Sequence, residues 1–319
     1  MPELGLEDSR RQLFGIFIVL FNEIYLVGGG TLMLMRPPRV AAIHDLSGFG
    51  RCSLTVILPV LSVMGIQVVP LTTALLSTHT GGFSNVVMQD LTGYIPKAVG
   101  QYRKEGIEFE CIYTGFLSSE QQFDDCLEVL DAYPHAMAVV DPVMGDHGRI
   151  YKTYTRKMCK RVGELVHRAD LITPNPTEVA LLLDEDPVML PLTAQQYKTK
   201  LLRLSELGPK QVIITGAQLA DHTMNNIGYD RDTGSFWRVR YENVPVGYPG
   251  TGDLFASVVV GSLLQGDSLP IAMERATRFL ELTIKTTFSY SSDPRFGVML
   301  ENTLPWLSEK QILDGYEIL

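Results

Sequence analysis

A glycine-rich turn followed by a carboxylate lies in the stretch 246–266, which reads V-G-Y-P-G-T-G-D-L-F-A-S-V-V-V-G-S-L-L-Q-G. Its proline and glycines predict a turn, and the small and apolar residues from Asp253 to Leu264 predict a buried helix. A helix that begins at such a turn presents free backbone N–H groups and the positive end of its dipole, which together bind anions. Asp253 either caps this helix or, beside a bound phosphate, takes a proton from an attacking hydroxyl.

Two other segments place oxygen-bearing side chains after apolar runs that are predicted to be strands. The first is D-P-V-M-G-D, which contains Asp141 and Asp146, and the second is T-P-N-P-T-E, which contains Asn175 and Glu178. Mg²⁺ prefers oxygen ligands of this kind and typically meets a protein through one or two carboxylates together with substrate phosphates. Each segment alone could be a proline-set turn with a helix cap. Together with the glycine-rich turn they predict the parts of phosphoryl transfer: an anion cradle, a metal and a base for the acceptor hydroxyl.

Other candidate motifs are weaker or missing from the sequence. The chain has no G-x-x-x-x-G-K-[ST] sequence, which excludes an ordinary P-loop, and no G-x-G-x-x-G after the first predicted strand. His44 and His79 have no partner at metal-ligand spacing, so we interpret them as hydrogen-bonded structural residues. Cys52 opens a predicted helix, where a thiolate would be stabilised. Because no histidine and carboxylate partners are arranged around it, we interpret Cys52 as a packing residue.

The candidate residues need a scaffold that brings their loops together, and from Arg39 onwards short apolar strands alternate with helical stretches. The predicted strands are Arg39–Ile43, Gln67–Leu71, Cys111–Thr114, Ala138–Asp141, Asp170–Thr173 and Gln211–Thr215, and the predicted helices are Cys52–Met64, Glu120–Ala132, Tyr154–Val166, Thr193–Leu207, Ala272–Thr287 and Glu301–Leu307. This alternation indicates a doubly wound α/β fold, a mostly parallel sheet with helices on both faces. Met224–Tyr229 and Ser235–Tyr241 predict a small antiparallel hairpin at one edge. The binding crevice of such a sheet lies beyond the carboxyl ends of its strands, where nearly all the candidate residues fall.

Composition limits the classes of function. The 319 residues carry a formal net charge of −9 without a run of Lys or Arg, so we expect no nucleic-acid binding. The four cysteines show no C-x-x-C spacing, which indicates neither a zinc site nor a disulfide framework and fits a cytoplasmic protein. Residues 39–319 contain no linker or repeat, so we predict that they form a single domain.

The amino-terminal segment, residues 1–38, differs from the rest of the chain. Its apolar run Leu13–Phe21 is too short to span a bilayer, and Asn22 and Glu23 interrupt the apolar residues that follow. Nearby acidic residues and the lack of an A-x-A-like site argue against a signal peptide. We therefore predict an appendage outside the fold, either disordered or the product of an upstream start, and no stable membrane insertion.

Five segments of the chain together carry a resemblance to a known family. They are V-G-Y-P-G-T-G-D-L-F-A-S, D-P-V-M-G-D, T-P-N-P-T-E, L-S-T-H-T-G-G and Y-T-G-F-L-S-S-E-Q. In company they resemble segments of pyridoxal kinases, which are members of the ribokinase-like superfamily. The resemblance runs in order from about Arg39 to Leu307, and the segment up to about Pro38 has no counterpart. G-T-G-D alone is typical of the whole superfamily, whereas L-S-T-H-T and Y-T-G-F-L in company with D-P-V-M-G are typical of its vitamin B6 branch.

The resemblance implies ATP-dependent phosphorylation of the 5′-hydroxymethyl group of pyridoxal, pyridoxamine or pyridoxine. Asp253 matches the family's catalytic base, and Gly250, Thr251 and Gly252 match its anion hole. Thr80 matches a residue that contacts substituents of the pyridine ring. The residues that match the ATP site are Asp141, Asp146, Thr173, Asn175, Glu178 and Thr215, of which Asp141 and Glu178 match the surroundings of the metal. Members of the family are commonly homodimers that use Mg²⁺, and many need a monovalent cation such as K⁺.

Two positions depart from the family pattern. Asp45 stands where the best-known members have a serine facing the ring nitrogen, and Phe116 stands where they have a tyrosine over the ring. Phenylalanine keeps the π-face for stacking. An ionised Asp45 would favour a protonated ring nitrogen, unless it only begins the D-L-S-G turn. Two alternatives stay open: a hydroxymethylpyrimidine kinase of the same fold, and a non-catalytic ligand-binding protein on the same scaffold.

Overall fold

The structure is a computed structural model, which describes residues 36–187 and 190–319 together with the backbone of three short strands nearer the amino terminus. The strands are β1 (Phe17–Leu20), β2 (Glu23–Gly28), β3 (Thr31–Leu34), β4 (Arg39–Ile43), β5 (Leu46–Phe49), β6 (Gln67–Pro70), β7 (Ala74–Thr78), β8 (Met88–Asp90), β9 (Cys111–Thr114), β10 (Met137–Val140), β11 (Gly145–Asp146), β12 (Arg149–Ile150), β13 (Leu171–Ile172), β14 (Gln211–Gln218), β15 (Met224–Asp230), β16 (Ser235–Tyr241) and β17 (Tyr316–Ile318). The α-helices are α1 (Leu54–Val63), α2 (Tyr94–Lys104), α3 (Gln121–Ala132), α4 (Arg156–Val166), α5 (Pro176–Leu182), α6 (Ala194–Glu206), α7 (Thr251–Leu264) and α8 (Leu269–Ser289).

The central sheet has the strand order β17-β16-β15-β14-β13-β10-β9-β4-β6. The strands from β14 to β6 are parallel to their neighbours, and β15, β16 and β17 continue the sheet as an antiparallel edge. Every residue of β9 is buried, as expected for a strand that is covered on both faces. The predicted doubly wound α/β fold is therefore confirmed, with β15 and β16 as the predicted hairpin.

Two hydrophobic clusters lie on opposite faces of this sheet, and the alternation of side chains along β4 separates them. Ala41 and Ile43 belong to the cluster that includes buried side chains of α2 to α6. Val40 and Ala42 belong to the cluster that includes α1, α7 and α8. Helix α7 is buried continuously from Asp253 to Ser262, so it is covered on most sides.

A second, three-stranded sheet with the order β5-β7-β8 is absent from the sequence prediction. The D-L-S-G segment was predicted as a turn, but Leu46–Phe49 forms β5 because it pairs with the distant strand β7. The prediction of a closing helix at Glu301–Leu307 was also wrong. Two short 3₁₀ turns, Leu300–Asn302 and Leu304–Ser308, occupy this stretch, since Pro305 restricts the residue before it and has no N–H to donate.

Most of the predicted appendage, residues 1–38, lies outside the described residues, so its place outside the domain stays a prediction. The backbones of β1, β2 and β3 pair with one another in antiparallel fashion. Arg36, which falls within the predicted appendage, pairs with Glu110 at 3.0 Å and is therefore tied to the domain. None of the helices in the described part of the chain has the length and apolar character needed to cross a membrane.

Candidate active site

The glycine-rich turn leads directly into α7, as the sequence predicts. Gly250 has a left-handed φ of 80° immediately before the helix, and a Cβ at this position would lie 2.1 Å from the carbonyl oxygen of Arg51. Only glycine allows two backbones to approach so closely in this conformation. Thr251 Oγ1 donates a hydrogen bond to the carbonyl oxygen of Tyr248 at 3.1 Å, which fixes the turn. Since Gly250 has no side chain to cap the helix, no side-chain cap hydrogen bond covers the first-turn N–H groups, which is the arrangement that binds anions at helix starts.

Asp253 is buried in the first turn of α7, and its two carboxylate oxygens have different surroundings. Oδ2 accepts a hydrogen bond from the backbone N–H of Ser53 at 2.8 Å and lies 3.6 Å from Cys52 Sγ. Oδ1 lies 3.9 Å from His44 Nδ1, which is too far for a hydrogen bond. Burial raises the pKa of Asp253 to about 6, against the opposing effect of the Ser53 N–H. A carboxyl group with this pKa can serve as a general base near neutral pH.

The two histidines that the sequence analysis singled out have different environments. His79 is a hydrogen-bonded structural residue, as predicted: Gly81 N–H donates to its Nδ1 at 3.1 Å, and Nε2 lies 2.6 Å from the carbonyl oxygen of Arg295. The same prediction was wrong for His44, because neither ring nitrogen has a hydrogen-bond partner among the described residues. Its ring instead packs edge-on against Tyr113 at 4.4 Å, and burial lowers its pKa to about 3.

Asp141 follows β10 and faces the glycine-rich turn. A Cβ on Gly252 would lie 3.9 Å from Asp141 Oδ2, and the hydroxyl of Thr173 donates to Asp141 Oδ1 at 3.3 Å. Burial raises the pKa of Asp141, and the negative charge of Asp253 raises it further. The structure therefore brings Asp141, Thr173 and Asp253 into one buried acidic site at the start of α7.

Asn175 and Glu178 form a complete capping box at the start of α5. Asn175 Oδ1 accepts from the N–H groups of Thr177 and Glu178, at 2.9 and 3.1 Å. Glu178 Oε2 accepts from the Asn175 N–H at 2.9 Å, and Oε1 accepts from the Met144 N–H at 3.1 Å. Burial raises the pKa of Glu178 well above its usual range, and the charge of Asp141 adds to this. The helix-cap interpretation that the sequence left open for this segment is therefore confirmed. Glu178 is also close enough to Asp141 for the charge of Asp141 to raise the pKa of Glu178.

Asp45 is buried at the end of β4, and two serine hydroxyls bind its carboxylate. Ser53 Oγ donates to Oδ1 at 2.5 Å, and Ser47 Oγ donates to Oδ2 at 2.8 Å. Burial raises the pKa of Asp45, while both serine hydroxyls oppose that rise. Because Ser53 also binds Asp253 through its N–H, it connects the two carboxylates. The sequence analysis did not identify either serine as a site residue.

The other predicted site residues do not take part in the hydrogen bonds described above. Thr80 is exposed in the loop after β7, and Phe116 is half-buried, with its ring edge-on to Tyr154 at 5.9 Å. Asp146 lies in the short β11–β12 hairpin and accepts from the His147 N–H at 2.7 Å. Thr215 lies within β14, beside a break in strand register, rather than at the strand end that was predicted.

The chain is similar to several kinases. The model of the phosphomethylpyrimidine kinase family matches residues 58–295. A protein from Bacteroides thetaiotaomicron, provisionally assigned as a phosphomethylpyrimidine kinase, is 42% identical with a TM-score of 0.85, over 89% of this chain and 98% of that one. An orthorhombic crystal form of that protein is described with pyridoxal. Pyridoxal kinase from Lactobacillus plantarum is 30% identical with a TM-score of 0.78, over 85% of this chain and 96% of that one.

Among curated proteins, the chloroplastic thiamine biosynthetic bifunctional enzyme of Arabidopsis thaliana is 25% identical over 272 residues. These residues are 84% of this chain but 49% of the Arabidopsis enzyme, so the chain spans about half the length of that relative. The resemblance to pyridoxal kinases that the sequence motifs indicated is confirmed by these similarities.

Proposed function

The chain belongs to the phosphomethylpyrimidine kinase family, and we propose that it phosphorylates the 5′-hydroxymethyl group of pyridoxal, pyridoxamine or pyridoxine with ATP. One observation carries the proposal: a buried carboxylate, Asp253, in the first turn of a helix that begins at an uncapped glycine turn. The similarity to a protein crystallised with pyridoxal supports the choice of substrate class.

In the proposed reaction, the substrate hydroxyl gives its proton to Asp253, and its oxygen attacks the γ-phosphorus of ATP. The bond from that phosphorus to the β,γ-bridging oxygen breaks, and ADP leaves. The Ser53 N–H occupies Asp253 Oδ2, so Oδ1 is the oxygen that receives the proton. The N–H groups of Gly250, Thr251 and Gly252 stabilise the charge that develops on the transferred phosphoryl oxygens.

We propose Asp141 and Glu178 as the residues around Mg²⁺. Both carboxylates are buried and have raised pKa values, so a nearby divalent cation would stabilise their ionised forms. No group of three or more metal-binding side chains occurs in the part of the chain that the structure describes. A site with one or two carboxylates still suits Mg²⁺, because substrate phosphates and water complete its coordination. When bound, Mg²⁺ would neutralise charge on the ATP phosphates. The need for K⁺ stays a prediction from the resemblance.

For the substrates, we assign Asp45, Thr80 and Phe116 to the vitamer. An ionised Asp45, held by two serine hydroxyls, is suited to accept a hydrogen bond from a protonated ring nitrogen. For the nucleotide, we assign residues that follow β10 and β13 together with one residue within β14, which are Asp141, Asp146, Thr173, Asn175, Glu178 and Thr215. We also expect a cytoplasmic homodimer, and light scattering of the purified protein tests the oligomeric state.

A second candidate function is phosphorylation of a hydroxymethylpyrimidine. The matching family model and the similarity to a thiamine biosynthetic enzyme favour it specifically. The chemistry would be unchanged, because both substrates are small heteroaromatic alcohols and the same base and anion site would serve.

The test is turnover of ATP against a panel of pyridoxal, pyridoxamine, pyridoxine and hydroxymethylpyrimidine, with product identified by mass spectrometry. We expect the highest kcat/KM for one of the three B6 vitamers. A preference for hydroxymethylpyrimidine would establish the second candidate. Binding of these compounds without turnover of any of them would contradict both and support a non-catalytic ligand-binding protein.

A further inference from the structure

Ser53 has a backbone conformation that side-chain-bearing residues rarely adopt. Its φ is 52° and its ψ is −130°, in the part of conformational space that glycine occupies most readily. It is also the residue before α1, where a serine side chain would normally cap the helix, but its hydroxyl makes no cap hydrogen bond. The conformation is therefore unfavourable locally and must be held by contacts elsewhere.

Backbone contacts hold part of this conformation: Ser53 forms a β-bridge with Leu46, and the Val56 N–H donates to the Ser53 carbonyl oxygen at 2.9 Å. Two further contacts of Ser53 join the two carboxylates of the candidate site. The Ser53 N–H donates to Asp253 Oδ2 at 2.8 Å, and the Ser53 hydroxyl donates to Asp45 Oδ1 at 2.5 Å. Ser53 is buried, so both bonds form away from bulk water, where charge-assisted hydrogen bonds are strongest. Because φ is the rotation about the N–Cα bond, it sets the direction of the N–H relative to the side chain of the same residue. At the observed φ the N–H reaches Asp253 while the hydroxyl reaches Asp45.

We propose that Ser53 is a positioning residue that couples the substrate-facing carboxylate Asp45 to the base Asp253. Together with the backbone contacts of Ser53, the bond from the hydroxyl to Asp45 holds the strained backbone, and the strained backbone aims the N–H at Asp253 Oδ2. That bond leaves Oδ1 to accept the proton from the substrate. The inference rests on the proposed function, because it assigns Ser53 a role in the same phosphoryl transfer.

Two substitutions at this position separate the hydroxyl from the backbone conformation. Ser53→Ala removes the hydroxyl but keeps a Cβ, so the strained φ loses its anchor and the N–H turns away from Asp253. Ser53→Gly also removes the hydroxyl, but glycine adopts this φ and ψ without strain, so the N–H stays in place. A matched control is Ser47→Ala, which removes the other hydroxyl bound to Asp45 and leaves Ser53 and Asp253 in contact.

The experiment measures kcat, the KM for pyridoxal, the KM for ATP and the melting temperature of the four proteins. We expect Ser53→Ala to lower kcat about tenfold, which is the effect of losing one hydrogen bond to a charged group. We expect Ser53→Gly and Ser47→Ala to keep kcat within about twofold of wild type, which is less than the effect of such a bond. All three variants should raise the KM for pyridoxal, because each removes a donor to Asp45, and leave the KM for ATP unchanged.

Equal kcat values for Ser53→Ala and Ser53→Gly would overturn the inference, whether both are normal or both are low. If Ser53→Ala does not fold, Ser53→Gly decides: a normal kcat with a raised KM for pyridoxal supports the coupling, and a kcat lowered about tenfold or more, the size of a lost charged hydrogen bond, contradicts it. A wild-type protein that turns over none of the panel substrates would instead refute the proposed function. The two failures are thus distinguishable.

Discussion

The starts of α5 and α7 both place a buried carboxylate in the first turn of a helix, but they use it differently. At α5, Asn175 accepts from the first-turn N–H groups, and Glu178 accepts from the Asn175 N–H and the Met144 N–H. Both hydrogen bonds of the capping box are therefore made by groups of the protein itself. At α7, the preceding residue is Gly250, which has no capping side chain, and Asp253 accepts from Ser53 in a distant part of the chain.

The difference shows that two helix starts, each with a carboxylate in the first turn, satisfy their backbone N–H groups differently. At the start of α5, the polar side chains accept hydrogen bonds from nearby backbone N–H groups. These bonds stabilise the turn and fix the loop near Asp141. The α7 start has no side-chain cap on its N–H groups, and its carboxylate is held by Ser53, which lies outside the helix. We therefore expect substitutions at α7 to change catalysis, and substitutions at α5 to change stability first.

The largest effect is expected from Asp253→Asn. Asparagine keeps the size of the side chain but cannot accept the substrate proton, so kcat should fall by roughly 10²–10⁴-fold. Nucleotide affinity, measured by calorimetry, should stay close to that of wild type. A variant that keeps more than about a tenth of the wild-type kcat, far above the range expected for a lost base, would show that Asp253 only caps α7.

Gly250→Ala should have the next largest effect. The added Cβ would meet the Arg51 carbonyl oxygen, and the left-handed φ would be strained as well. We expect kcat to fall by roughly 10²-fold, as for the loss of an oxyanion donor, and the free energy of unfolding to fall by roughly 1–3 kcal/mol.

Gly266→Ala is the matched control for Gly250→Ala. Gly266 has a φ of 92°, but its Cβ position is open. This variant should lose some stability in thermal denaturation and keep its kcat. Equal losses of kcat in the two variants would show that the turn before α7 has no special role in catalysis.

A smaller effect on kcat is expected from Asn175→Ala. Loss of the cap should reduce the free energy of unfolding by roughly 0.5–2 kcal/mol and raise the KM for ATP, with kcat changing far less than in Asp253→Asn. Thr193→Ala is the control, because Thr193 and Gln196 form a second capping box at α6. It should lose similar stability in denaturant titration without any change in the KM for ATP. A kcat loss in Asn175→Ala as large as that of Asp253→Asn would remove the distinction between the two helix starts.

The smallest effect is expected from deletion of the first 34 residues. The regular alternation of strands and helices begins only at Arg39, so the shortened protein should fold and turn over substrate as the full chain does. Circular dichroism and ATP turnover check this. An insoluble or inactive product would mean that this segment is required by the domain.

Much of the fold could be predicted from the sequence because its strands are short, apolar and separated by amphipathic helices. β4 and β9 were predicted with the bounds that the structure has. The small sheet of β5, β7 and β8 was not predicted, because its strands are only partly buried and their pairing joins segments distant in the chain. A strand that forms by such pairing need not show a periodic hydrophobic pattern in its own sequence.

The candidate site was predictable where a turn type or a helix start dictates the residue, as at Gly250 and Asp253. A helix cap was one of the two interpretations of T-P-N-P-T-E, and Asn175 and Glu178 have the spacing of the capping box that the structure shows. Ser53 could not have been identified, because the sequence placed it inside the predicted helix Cys52–Met64, whereas α1 begins at Leu54. Its positive φ and its contact with Asp253 depend on how α1 and α7 pack together.

The most direct test of the role of Asp253 is the pH dependence of kcat/KM for wild type and for Asp253→Asn. A carboxyl group accepts a proton only when ionised, so wild-type activity should fall as the pH drops through the raised pKa of Asp253, about 6. Asp141 and Glu178 are also buried acids, so the fall of activity at low pH, the acidic limb of the profile, could come from any of the three carboxyl groups. The variant is needed to assign this limb to one of them. We predict that the residual activity of Asp253→Asn lacks this limb. The same limb in both proteins would contradict the assignment of Asp253 as the base.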